Sequence, residues 1–268
     1  MSRNSLWVGI LLLALLTSWT QSGDDELLKQ KLRITREASL PETAVQVAMS
    51  FLGTPYVAHT LESPEEHLVV NVRQLDCTTF VENVLALART IQDNERTADA
   101  FRRNLTQCRY RGGVIQGYGS RLHYFSSFLG QLVERGEADL VYPGDRQAYD
   151  KPINFMSGHR QLYPSLGDST AYRLTLDAER KLLTTPRFFI PKDRIREDLF
   201  RPGDIVGITS SIKGLDVSHE GFAVRKAGRI YLLHASSEKG KVMLTAEPLT
   251  AYLRQHSTQT GIMVARLR

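Results

Sequence analysis

Residues 73–90 read RQLDCTTFVENVLALART. Phe80, Val81, Val84, Leu85 and Ala88 recur at helical spacing, which predicts an amphipathic helix that opens at Cys77 and buries one face. Cys77 stands in its first turn, outside the apolar stripe. Three readings of that residue are open. It is a small buried apolar group, as free cysteines commonly are. It pairs with Cys108, the only other cysteine, in a disulfide of an exported protein. Or it is a nucleophile, its thiolate favoured by the positive end of the helix dipole, with the free N–H groups there ready to hold an oxyanion.

The third reading needs a base, and the base needs a group that orients it. The stretch HEGFAVRKAGRIYLLHAS (219–236) predicts two strands joined through Lys226-Ala227-Gly228. A turn centred on Lys226-Ala227 sets His219 directly opposite His234 on one face, with Cβ atoms about 4.5–5.5 Å apart. For each histidine alone, a hydrogen-bonded structural role is equally open. GDIVGITS (203–210) and TGIMVARL (260–267) add strands. PETAVQVAMSFLG (41–53) predicts a helix from Pro41 to Gly53, and the charged segment 24–39 a first helix or ordered arm. Residues 105–200, rich in Gly, Tyr and Arg at first, read as loops and short helices laid over a core. Helices first and an antiparallel sheet last make an α+β protein.

Composition sets the outer limits. The chain has 268 residues, 42% apolar and 24% charged, which is ordinary for a globular protein. Its net charge of +5 comes with no run of Lys or Arg, so nucleic acid is not an expected partner. MSRNSLWVGILLLALLTSWTQSG (1–23) has one early cation and an apolar run from Leu6 to Trp19, the layout of a secretory signal peptide removed near Ser22 or Gly23. The run is shorter than the ~20 residues of a membrane span; an uncleaved anchor is the alternative. The expectation is an exported protein, periplasmic or extracellular, without stable membrane association, whose residues 23–268 form one catalytic domain. Seven scattered histidines, with no HExxH and no CxxC, predict no metal, and no phosphate loop or other cofactor motif is present.

The order GTPY, DC at a helix start, PGD before a strand, then SHEGFAV and LLHAS resembles the papain-like cell-wall cysteine peptidases of the NlpC superfamily. More closely, LDCTTFVENVLALA, GYGSRLHYFSSF, INFMSGH, GDIVGITSSIKGLDVSHEGFAV and LLHASS resemble the bacterial N-acetylmuramoyl-L-alanine amidase-like family. That resemblance implies a papain-like, NlpC-type fold in which a Cys-bearing helix packs on an antiparallel sheet carrying both histidines. It implies Cys77 as nucleophile, His219 as general base and His234 as the residue that orients it. Tyr56 of the PY pair, and Thr78 beside the nucleophile, fall at the active site near the oxyanion. The implied substrate is peptidoglycan or its fragments.

There are departures. The superfamily's DCSG is DCTT here, no WGG follows Tyr56, and 142 residues separate Cys77 from His219. The long insertion, about 95–200, holds Tyr118, Arg121, His123 and Asn154 as candidate substrate contacts. Arg121 suits a bidentate pair with a stem-peptide carboxylate, and a loop-bracing role is its alternative. The expected activity is hydrolysis of the amide between N-acetylmuramic acid and L-Ala by a Cys-His mechanism. A stem-peptide endopeptidase cutting between D-Glu and the diamino acid, a non-catalytic wall-binding module, and a different acyl transferase on the same fold are the rivals. A base of ordinary pKa predicts loss of activity on the acid side between about pH 5 and 8.

Overall fold

The computed structural model describes residues 25–142 and 146–268; the segment read as a signal peptide lies outside them. A helix over 25–32 (α1) leads to α2 (Leu40–Met49), α3 (Cys77–Gln92), α4 (Ala98–Arg109) and α5 (Phe125–Glu134). After two short strands, β1 (Ala138–Leu140) and β2 (Gln147–Ala148), come α6 (Phe155–Gly158) and α7 (Ser169–Thr184). The rest is β3 (Phe188–Pro191), β4 (Ile205–Ser210), β5 (Val217–Lys226), β6 (Arg229–Ser236), β7 (Lys241–Leu244), α8 (Leu249–Gln255) and β8 (Gln259–Leu267). The strands form one antiparallel sheet in the order β2-β3-β8-β4-β5-β6-β7, with β1 also paired to β8.

Alternation along the strands buries both faces of this sheet. Phe222, Leu233 and Val242 meet α2 and α3 on one side; Ala223, Leu232 and Ile262 meet Leu249 and Leu253 of α8 on the other. The architecture is therefore mixed α+β with an antiparallel sheet, as the strand and helix patterns predict.

Helix α3 begins where the sequence places it, and a local reason is visible. Asp76 caps it: its carboxylate accepts from the Thr79 N–H at 2.7 Å, while the Asp76 N–H donates to the Thr79 hydroxyl at 2.9 Å. The helix is not buried on one face alone, however. Every residue from Thr79 to Ile91 is buried, because α2, α4 and the sheet enclose it. Most of its polar groups have partners, although the Asn83 side-chain oxygen has none. Glu82 accepts from Arg109 Nε at 2.7 Å, Asn83 donates to the Thr79 carbonyl at 2.7 Å, and Arg89 pairs with Glu137.

Residues 105–200 do more than lie over a core. Helices α5 and α7 are ten and sixteen residues long, and β1 and β3 pair with β8, so the insertion extends the sheet itself. The Asp168 cap of α7 and its apolar spacing were legible in principle. The run of Gly, Tyr and Arg before it hid them.

The β5–β6 hairpin turns on Ala227-Gly228, both at positive φ (48° and 78°), one residue later than the sequence reading places it. Lys226 pairs with Arg229 and Phe222 with Leu233. His219 and His234 are consequently diagonal neighbours rather than direct opposites. Moving the centre of a two-residue turn by one position shifts the register by two, so both side chains keep the same face. The paired ladder stops at Phe222–Leu233 although both strands run on. Gly221 sits just past that point, where a Cβ would lie 2.5 Å from the Leu233 carbonyl oxygen and 3.0 Å from His234 Cβ. Gly221→Ala is expected to force β5 from β6, costing about 1–3 kcal/mol in thermal unfolding and lowering kcat by displacing His234.

Candidate active site

Three backbone segments converge on Cys77. The first is the capped start of α3, which holds the thiol at the helix N-terminus. The second is the stretch 53–57. Gly53, at φ 83°, donates to the Val242 carbonyl, Tyr56 N–H to Gly240 and Val57 N–H to Leu75, tying Tyr56 between the β7 edge and the lead-in to α3. The third is β5, whose Glu220 side chain is hydrogen-bonded to Thr78, the residue after Cys77. A β-bulge falls at Ser218, between Ile208–His219 and Thr209–Val217, and re-aims the strand immediately before His219.

His219 Nε2 lies 2.5 Å from His234 Nδ1, with the rings nearly perpendicular at 82°. His234 is 2% exposed and its ring meets Tyr252 of α8 edge-on, 5.6 Å between centroids; Tyr252 in turn meets His256 at 4.6 Å. The two histidines thus face α8, whereas Glu220, one residue along, faces α3 and accepts the Thr78 hydroxyl at 2.6 Å. The charge of Cys77 acts on both Tyr56 and Tyr252.

The electrostatics reverse one sequence expectation. Enclosure of the Cys77 thiol, followed by the negative groups Glu220 and Asp76, drives its pKa up, against the smaller help of the Glu220 N–H and the Thr78 hydroxyl. The resting group is a neutral thiol, because the helix dipole is outweighed by burial and by the capping carboxylate. Burial, then His234 and His256, pushes His219 down to about 3; burial, then His256, pushes His234 down to about 4. Tyr56 is pushed up to about 12 by burial and by the nearby Cys77 and Asp76, so its hydroxyl stays a proton donor at physiological pH.

Cys77 and Cys108 are both free thiols. Cys108 is buried beside Arg89, whose Nη1 lies 3.5 Å from its sulfur. Arg89 is twelve residues along α3 from Cys77, roughly 18 Å at helical rise, so the disulfide reading is ruled out.

The candidate substrate contacts separate. Tyr118 and His123 meet at 4.5 Å between centroids with their rings tilted by 41°, and line a cleft of about 630 Å³ with His59, Glu62, Leu162 and Tyr163. His123 also borders a smaller cavity that reaches Thr78 and Glu220, linking the cleft to the start of α3. Arg121 has a different task from the expected carboxylate pair. It is 7% exposed, and its donors are taken by Glu66 at 2.7 Å, Glu62 at 3.0 Å and the Leu61 carbonyl at 2.7 Å. It braces the 61–67 segment that walls the cleft. Asn154 lines neither cavity; it is exposed, and its backbone N–H pairs with the Gly214 carbonyl. Among the described residues no group of three or more His, Cys, Asp or Glu could hold a metal ion.

Sequence reading missed Glu220, Tyr252 and His256. Alternation gave a signal for the first: if His219 faces one side of β5, its neighbour faces the other, toward the cysteine helix. No signal in the sequence places α8 against His234.

A model of the N-acetylmuramoyl-L-alanine amidase-like (AmiA-like) family matches residues 46–262. The chain belongs to that family. An N-acetylmuramoyl-L-alanine amidase from Bacteroides uniformis superposes with a TM-score of 0.79 at 35% identity, over 85% of this chain and 99% of that one. A protein of Bacteroides fragilis described as a candidate xylanase gives 0.76 at 38% identity, over 82% and 98%. A Legionella pneumophila protein at 20% identity shares the fold, with a TM-score of 0.65 over 95% and 96%. No curated protein matches the sequence. Among the described residues, no helix is long and apolar enough to cross a membrane.

Proposed function

We propose that this chain is an exported cysteine hydrolase that cuts the amide between N-acetylmuramic acid and the L-Ala of the peptidoglycan stem, with residues 23–268 as its catalytic domain on an NlpC-type, papain-like plan. Family membership and the Bacteroides uniformis amidase support the substrate class. The observation that carries the chemistry is the 2.5 Å contact between His219 of β5 and His234 of β6, beside a Glu220 whose side chain accepts from Thr78, the residue next to Cys77.

His219 uses Nδ1 as the base, so its Nε2 carries the hydrogen and donates to His234 Nδ1; this fixes tautomer and ring orientation together. As the Cys77 sulfur attacks the lactyl carbonyl carbon, the thiol proton passes to His219. His219 then gives it to the departing L-Ala nitrogen as the C–N bond breaks, leaving a thioester on Cys77. Water, deprotonated by His219, attacks the thioester and regenerates the thiol, releasing the muramoyl carboxylate. The Tyr56 hydroxyl and the N–H groups at the start of α3 stabilise the oxyanion of each tetrahedral intermediate. The cleft bordered by Tyr118 and His123 receives the rest of the muropeptide.

A base held near pKa 3 stays unprotonated through the neutral range. The acid limb of kcat/KM is therefore expected below about pH 4, where His234 also gains its proton, and not between pH 5 and 8. Initial rates on a soluble muropeptide from pH 3 to 7 measure this.

Mass analysis of purified peptidoglycan digested with the mature protein tests the bond assignment. Stem peptides with a free L-Ala amino terminus are the expected product. Fragments cut after D-Glu would move the assignment to an endopeptidase, and wall binding without any release would favour the non-catalytic module.

A further inference from the structure

Nucleophile and base belong to elements 142 residues apart, and each is followed by a residue that grips the other element. Thr78, next to Cys77, donates its hydroxyl to Glu220, next to His219, at 2.6 Å. Among the described residues this is the one hydrogen bond that joins a side chain of α3 to a side chain of β5. Glu220 is 6% exposed and borders a small cavity shared with Glu82, His123 and Phe125. The charged groups acting most strongly on it are carboxylates: Glu82 and Asp76 from the α3 side and Asp216 from the start of its own strand. The nearby Arg109 of α4 is engaged by Glu82 and the Val69 carbonyl, and His123 is turned to the Tyr118 carbonyl.

We infer that Thr78 and Glu220 form the positioning joint of the site, in which Glu220 works as an uncharged acid that holds the nucleophile against its base, and whose ionisation weakens the thiol. The inference rests on the cysteine-hydrolase reading for its meaning and on the buried hydrogen bond for its geometry.

Two physical consequences follow from the placement. An uncharged Glu220 accepts the Thr78 hydroxyl without setting a negative charge beside the sulfur. An ionised Glu220 adds that charge, and thiolate formation becomes harder. Burial, with Glu82, Asp76 and Asp216 adding to it against the Thr78 hydrogen bond, pushes Glu220 up to about 8, so the change falls just above neutral pH. The sign is fixed: activity is retained below that value and declines as pH rises through it.

The test is the rate of Cys77 alkylation by iodoacetamide from pH 6 to 11, read by peptide mass analysis, with buried Cys108 as internal control. In Glu220→Gln the amide oxygen still accepts from Thr78, but the charge is gone. The expected result is a Cys77 midpoint lower by about one pH unit, hence alkylation about tenfold faster near pH 9. On a muropeptide, kcat/KM of the native protein falls above about pH 8, and that alkaline decline is absent in Glu220→Gln. Thr78→Val, which keeps the shape and removes the hydroxyl, is expected to lower kcat at least about tenfold with little change in KM, and Thr78→Ser to restore most of it. An unchanged alkylation profile in Glu220→Gln, or an unchanged kcat in Thr78→Val, overturns the inference. Should Glu220→Gln not fold, Thr78→Val and its serine rescue decide alone. A shifted alkylation profile in a protein that hydrolyses no peptidoglycan supports the joint while sinking the hydrolase reading, so the two failures are distinct.

Discussion

Cys77→Ala is expected to abolish release of stem peptides from peptidoglycan, lowering kcat/KM by roughly 10⁴-fold or more. In the proposed mechanism the sulfur is the atom that bonds to the carbonyl carbon, and nothing beside it can take its place. Thr78 has its hydroxyl committed to Glu220, and Cys108 is buried against Arg89 at the far part of α3. The variant keeps the fold, because the cap of α3 is made by Asp76 and Thr79 rather than by Cys77. Unaltered thermal unfolding alongside lost turnover is the expected pair of results. Turnover within tenfold of the native rate would sink the nucleophile assignment. Cys77→Ser is the sharper control. A serine hydroxyl is a weaker acid and a poorer nucleophile than a thiol, so little activity returns.

The second large effect is on stability. Arg109→Met is expected to cost roughly 3–5 kcal/mol, because it removes the cation hydrogen-bonded to the enclosed Glu82. Arg109 is 2% exposed; besides Glu82 it reaches the Val69 carbonyl at 2.6 Å, and so ties α4 to α3 and to the segment leading into the site. For a chain of this size the loss corresponds to a fall in Tm on the order of 10 °C. The effect has a defined pH dependence. Burial already raises the Glu82 pKa against the pull of Arg109. Without Arg109 the folded-state pKa stands further above the unfolded value, so the variant is least impaired at low pH and loses stability as pH rises through the folded-state value. Denaturant unfolding at pH 5 and pH 8 measures the difference, and Glu82→Gln in the same chain is expected to recover part of it.

The bracing arginines show where sequence reasoning stops. Arg109 and Arg121 lie in one basic, aromatic stretch, and nothing within it distinguishes a substrate-facing guanidinium from a structural one. Their partners are 27 to 60 residues away, on α3, on the 61–67 wall and at Val69 just after it. The helix start at Cys77 and the hairpin that sets His219 and His234 on one face were legible, because each depends on chemistry within a few residues. The electrostatic state of those groups was not. The same helix N-terminus that favours a thiolate in water carries a neutral thiol once burial, Asp76 and Glu220 are counted.

By itself, the sequence determined that α3 starts at Cys77, that a hairpin follows His219, and that both histidines point the same way. Caps, turn residues and the two-residue period of a strand act over a few positions and need no distant partner. Only the tertiary structure decided the diagonal register, the neutral resting thiol, the Thr78–Glu220 joint, and the occupation of Arg121 by Glu62 and Glu66. Each of these arises from burial and from contacts between segments far apart in the chain, where desolvation and neighbouring charge outweigh local preference.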